Sequence, residues 1–181
     1  MRFPGSGLYE SWRTCKVLLP HARAVLQHDP EADAGQIKRA MLRRNVARYD
    51  FDQGRYQVAL DEAKEAYRIA QKLLASQDPL TLSITNQLTA YLIVCGKHKE
   101  ARELAQLHGP FCVQVLGVEH LDTLACYSYI AWLLKLEGKT IGAEDIYRVT
   151  LECQKTVLGG DHPNTLRSMC ALADFMRSRK K

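Results

Sequence analysis

Gly138-Lys139-Thr140 comes closest to a phosphate-binding loop in this 181-residue chain. Such a loop needs a second glycine five positions earlier, so that successive amides curl around the phosphate, and that position holds Leu133. The six histidines are unpaired: neither His98 nor His108 has the histidine or carboxylate one turn away that a helical zinc site uses. None of Cys15, Cys95, Cys112, Cys126, Cys153 and Cys170 forms a C-x-x-C pair. No Ser/His/Asp or Cys/His set assembles. The expectation is a chain that is not an enzyme, with no catalytic residues, no metal and no cofactor.

Binding chemistry is better represented. The positions ten, nine and six residues before Gly54, Gly96 and Gly138 read Arg44, Asn45, Arg48; Asn86, Gln87, Ala90; and Ser128, Tyr129, Trp132. An amide donates and accepts at once, so Asn45, Asn86 and Gln87 suit a peptide backbone of any sequence. Arg44, Arg48, Lys135 and Arg167 bias such a surface towards an acidic segment. Trp132 is the type of large, rigid anchor enriched at interfaces. The candidate peptide-binding set is therefore Arg44, Asn45, Arg48, Asn86, Gln87, Ser128, Trp132, Lys135 and Arg167. Each has a structural alternative: Trp132 packing between hairpins, Tyr129 serving the core, the arginines acting as solvated surface charges.

The elements that would position these side chains repeat. Gly54, Gly96 and Gly138 stand 42 residues apart, each followed five residues later by Ala59, Ala101 or Ala143. Pro79-Leu80-Thr81-Leu82, Leu121-Asp122-Thr123-Leu124 and Pro163-Asn164-Thr165-Leu166 keep the same interval. A period of this length decides architecture before any local reading. Apolar spacing predicts helices at about 36–53, 55–76, 79–95, 97–116, 121–137, 139–158 and 163–178. Asp78, His120 and His162 fall in the capping column, and Gly117 and Gly159 where a left-handed residue is wanted. A leading helix from Leu8 carries Trp12, Cys15, Leu19, Ala22 and Leu26 on one face, Trp12 as a core anchor. Pro20 predicts a kink or split near Leu19, and Pro110 a second kink. Residues 29–35 read as a loop.

Helices joined by so short a turn lie antiparallel, and Ala47, Thr89, Ala131 and Ala173 let the backbones approach. These columns resemble the tetratricopeptide repeat. The 42-residue period with Leu158-Gly159-Gly160-Asp161-His162-Pro163-Asn164-Thr165-Leu166 is similar to the subtype of kinesin light chains and nephrocystin-like proteins, and to repeat arrays of fungal nucleotide-binding sensor proteins. The leading Trp12, Cys15, Leu19, Pro20 and His21 resemble the segment that joins nucleotide-binding part to repeats in those sensors. Two departures stand out: Leu121-Asp122 replaces proline and its neighbour, and Ala75-Ser76-Gln77-Asp78 replaces Leu-Gly-x-x-His. The resemblance implies an all-α, right-handed α-solenoid of antiparallel helix hairpins. It would hold about three repeats (37–78, 79–120, 121–162), a capping helix at 163–178 and a kinked N-terminal helix. The expected organisation is a lead-in over 1–35 and a repeat domain over 36–181.

A net charge of +5, mixed along the chain, permits an acidic partner without demanding one. No apolar run approaches a membrane span, and MRFPGSGLYESWR lacks a signal-peptide core. Dispersed cysteines suit a reducing compartment, so the expected location is cytoplasmic. The function expected is a non-catalytic protein–protein interaction scaffold that binds a peptide or acidic segment in a concave groove. The alternative is a structural or self-association arm of a fungal-type nucleotide-binding signalling protein. RNA binding ranks below both, and no membrane partner is expected.

Overall fold

The computed structural model describes residues 9–178, and Leu8 lies outside them. Among the described residues the chain is all helix: α1 Tyr9–Gln27, α2 Asp33–Asp52, α3 Tyr56–Leu73, α4 Pro79–Val94, α5 His98–Leu116, α6 Leu121–Leu136, α7 Thr140–Leu158 and α8 Pro163–Ser178. The chain divides between Ala101 and Arg102 into two compact units.

In the first unit, α2 and α3 form a hairpin, α3 packs on α4, and α2 touches both α1 and α4. The hairpin turn is a Schellman motif: Arg55 N–H donates to Asp50 O at 2.9 Å and Gly54 N–H to Phe51 O at 2.9 Å. The same pair of bonds recurs one period on, from Lys97 to Leu92 and Gly96 to Ile93, and again from Lys139 to Leu134 and Gly138 to Lys135. Gly54, Gly96 and Gly138 hold φ of 77°, 73° and 73°, a region costly to any residue with a Cβ. The periodic glycine is thus a backbone requirement that ends one helix and reverses the chain. The close approach it permits is filled by Ala47, Ala59 and Ala63, all buried.

α1 covers the outer side of α2. Cys15, Ala22 and Leu26 bury with Val46 and Tyr49, and Trp12, Leu18, Leu19 and Leu42 pack around them. Trp12 is the core anchor its spacing suggests. The expected split at Pro20 does not occur: α1 is one unbroken helix. Pro20 is exposed, so its ring projects from the helix into solvent, while residues on both sides of it are pinned to α2. α5 likewise runs unbroken through Pro110. α2 starts at Asp33, three residues before the expected Gln36. The Gln36 amide reaches back to Asp29 Oδ1 and Pro30 O, both at 2.7 Å, and ties the loop to the new helix. α3 stops at Leu73, because Leu74 is extended (φ −123°, ψ 156°).

In the second unit, α6 and α7 form the hairpin and α8 packs on both. Ala131, Ala143, Tyr147 and Phe175 make its core, with Trp132, Leu134, Ile146, Ala171 and Leu172 packed against them.

The capping column performs its task. Asp78 Oδ1 accepts from Leu80 N at 2.8 Å; His120 Nδ1 accepts from Asp122 N and His162 Nδ1 from Asn164 N, each at 3.1 Å. At the two histidine caps the threonine three residues further on ties the helix to its predecessor, whereas Thr81 Oγ, after Asp78, is buried without a partner among the described residues. Thr123 Oγ donates to Cys112 O at 3.1 Å and Thr165 Oγ to Gln154 O at 3.5 Å. Spacing alone did not reveal that second role.

Candidate functional site

α2 has four sides. Leu42, Val46 and Tyr49 meet α1. Arg43 pairs with Glu62 of α3 and Asp50 with Arg55 at the turn. Gln87 of α4 donates to Arg44 O at 2.9 Å. At about 100° per residue the remaining side carries Met41, Asn45, Arg48 and Asp52, flanked by Arg44. This open side is the candidate wall. Arg48 is exposed; Arg44, Asn45, Met41 and Asp52 are half-buried.

The α4 members behave differently from one another. Asn86 is only 6% exposed, so its amide is largely enclosed. Gln87 spends its NH2 on Arg44 O and, at 2.6 Å, on Tyr91 Oη, which locks α4 to α2. Its Oε1 is enclosed and meets no donor among the described residues. Ala90 is half-buried and Val94 exposed. The structure therefore brings Arg44, Asn45, Arg48 and Gln87 together on one wall of the first unit.

Asp52 was not among the sequence candidates. Burial raises its carboxyl above the usual carboxylate range, and the Arg48 guanidinium pulls it back. The signal was present as the four-residue step from Arg48, the spacing of a helical ion pair. A second missed feature is the Asp50 cluster. This fully buried carboxylate receives Arg55 Nε at 2.8 Å and Nη2 at 2.6 Å, plus Arg23 Nη2 from α1 at 3.2 Å. The next two periods carry Leu92 and Leu134 in that slot. The break in an otherwise apolar column was the readable sign.

In the second unit Ser128, Trp132 and Lys135 lie on α6 and Arg167 on α8. Ser128 Oγ turns back to Leu124 O at 2.9 Å. Trp132 is half-buried against the Ala131–Phe175 core, the packing alternative raised by its sequence context. Lys135 is half-buried and Arg167 exposed. No cluster of three or more metal-ligating side chains exists among the described residues.

A family profile, Tetratricopeptide repeat, matches residues 39–80 and 123–164, two stretches separated by two periods. These stretches are tetratricopeptide repeats. The repeat fold extends beyond them. A crystal structure of a single-residue variant of a Podosopora anserina protein, described as a kinesin light chain with nearly identical TPR-like repeats, superposes with a TM-score of 0.72 at 22% identity. That match covers 94% of this chain and 80% of that one. A second crystal structure of the P. anserina repeats gives 0.69 at 22% identity, with the same coverage. BtubC (BKLC) from P. vanneervenii gives 0.66 at 19% identity, over 93% of this chain and 65% of that one. No curated protein matches the sequence. Residues 81–122, between the two matched repeats, contain the Leu121-Asp122 departure at their end.

Proposed function

We propose that this chain is a non-catalytic protein-interaction scaffold, working in the cytoplasm, that holds an extended acidic segment against the open side of α2. The observation that carries the reading is the wall itself. Arg44, Asn45 and Arg48 present two guanidiniums and an amide on consecutive turns of a helix whose other sides are already occupied. Guanidiniums fork onto carboxylates, and the amide serves a peptide backbone. Gln87 supports this side by bonding the α2 backbone at Arg44. Tetratricopeptide repeats are a fold of stacked hairpins that offers extended surfaces rather than closed pockets.

The test is an unbiased pull-down with the full chain, repeated with Asn45→Ala, Arg48→Ala and the two combined. Loss of the same captured proteins from both variants supports the reading; an unchanged catch from the double variant rejects it. A steep dependence on salt with captured RNA would move the assignment to nucleic acid.

A second reading, self-association, is favoured by α8. Leu166 is 47% and Met176 39% exposed on a helix that also exposes Cys170 and Ala173. A mass in solution equal to one chain, at concentrations up to about 100 times those of the pull-down, removes it.

A further inference from the structure

α8 leaves open a side that α2 and α6 bury. Three repeat periods before α8, Ala40 and Ala47 are buried, and one period before it so are Leu124 and Ala131. On α8 the same two positions hold Leu166, 47% exposed, and Ala173, also exposed. Phe175 turns the other way, into the core with Ala131 and Ala143. At about 100° per residue the open side carries Leu166, Cys170, Ala173 and Arg177. Their steps of four, three and four residues are those of a coiled-coil seam.

The two flanks of this seam differ, and each is complementary to itself. One carries Arg167 and Asp174, both exposed; the other carries Met169 and Met176. A twofold axis that turns one helix over onto another brings each flank against its own counterpart, running backwards. Arg167 then faces Asp174 of the second copy, and Asp174 faces that copy's Arg167. The methionine flanks meet in the same way, and Cys170 lies opposite the small Ala173. A parallel pair would instead set the charged flank against the methionines. Within its own chain Asp174 meets Arg177 at 3.6 Å, with the two side chains 62% and 76% exposed. So loose a pair leaves the carboxylate open to a second guanidinium.

We propose that α8 pairs antiparallel with α8 of a second copy of this chain, held in register by two Arg167–Asp174 ion pairs across a twofold axis. This rests on the self-association reading of α8 and gives it a partner surface, a direction and a register. α8 has 16 residues, about 24 Å of helix. An interface of one such helix on each side is small, so the dimer belongs to the weak, transient class.

Sedimentation equilibrium of the full chain, with its cysteines kept reduced, tests this by charge reversal. The wild type should pass from monomer to dimer as concentration rises. Arg167→Asp sets aspartate against aspartate in both pairs, and Asp174→Arg sets arginine against arginine. Each should weaken the dimer about tenfold. The double reversal should restore it, and an equimolar mixture of the two single variants should pair more tightly than either variant alone. Lys155→Glu, a reversal on α7, should leave association unchanged. Circular dichroism on each variant confirms that it folds. A wild type that keeps the mass of one chain throughout would overturn this proposal and the self-association reading together. A wild type that associates no more tightly than either single reversal would overturn the α8 pairing and leave that reading standing.

Discussion

α2 and α6 occupy the same place in the repeat, two periods apart, and their open columns could hardly differ more. Arg44, Asn45, Arg48 and Asp52 on α2 correspond to Ser128, Tyr129, Trp132 and Leu136 on α6. Both helices end in the same Schellman turn, with Gly54 and Gly138 at nearly equal φ. Even within that turn the chemistry changes. Asp50 and Arg55 form an ion pair where a Schellman motif usually has an apolar contact, whereas α6 has Leu134 and Lys139, the lysine turned to Glu137. One backbone thus tolerates a charged wall or an aromatic one. What the backbone demands is the glycine, the small residues and the cap; the remaining columns are free to specify a partner.

The largest effect comes from moving the charge to the wrong repeat. Leu92→Asp places a carboxylate in the slot equivalent to Asp50, with Lys97 in the place of Arg55 but nothing in the place of Arg23. The expected loss is about 3 kcal/mol by urea unfolding, the cost of a buried charge that lacks the bidentate guanidinium Asp50 has. The reverse change, Asp50→Leu, should cost about 1 kcal/mol or less, since Arg23 and Arg55 are 48% and 40% exposed and can return to water. Equal losses for the two would break the comparison.

Trp132→Ala should cost about 2 kcal/mol of stability, because the indole packs on the second unit's core. Arg48→Ala, at the equivalent place on α2, should change stability by less than about 0.5 kcal/mol and reduce affinity for an acidic segment by about tenfold. A Trp132 variant that folds unchanged but loses binding would move the reading surface to α6. His162→Ala removes the Nδ1 acceptor for Asn164 N and should cost about 1 kcal/mol.

The smallest effect separates the units by pH. Burial holds the His108 imidazole in the second unit below its ordinary value. The unfolded chain therefore takes up that proton first, so stability falls as pH drops below about 6.5 and stops falling once the folded imidazole also titrates. Asp52 has the opposite sign: burial raises its carboxyl, the folded state takes up the proton first, and the first unit gains stability as pH falls from that raised value towards the ordinary carboxylate range. Amide exchange between pH about 7 and about 5 should show protection declining around α5 while α2 holds or gains. Equal declines would contradict these assignments.

The fold was legible because its requirements are local. A glycine at positive φ, a capping Asp or His, and an alanine at a close approach each leave a fixed mark in sequence, repeated at one interval. The split that Pro20 allowed does not occur, because its effect depends on neighbours: Cys15 and Ala22 on either side are buried on α2, so the helix continues through it. The candidate wall was legible as columns but not as contacts. Asn86 turns out enclosed, Gln87 is committed to the α2 backbone, and Trp132 packs inward on a core that includes Phe175. Asp52 and the Asp50 cluster escaped because tertiary partners, Arg23 above all, give them their character.

The proposed reading surface is the open side of α2. Isotope-labelled protein titrated with a pool of glutamate- and aspartate-rich extended peptides measures this by backbone and side-chain resonances. Shifts concentrated at Arg44, Asn45 and Arg48, lost in Arg48→Ala, are the predicted result. Shifts confined to α3, α5 or α7, with α2 silent at saturating peptide, would contradict it.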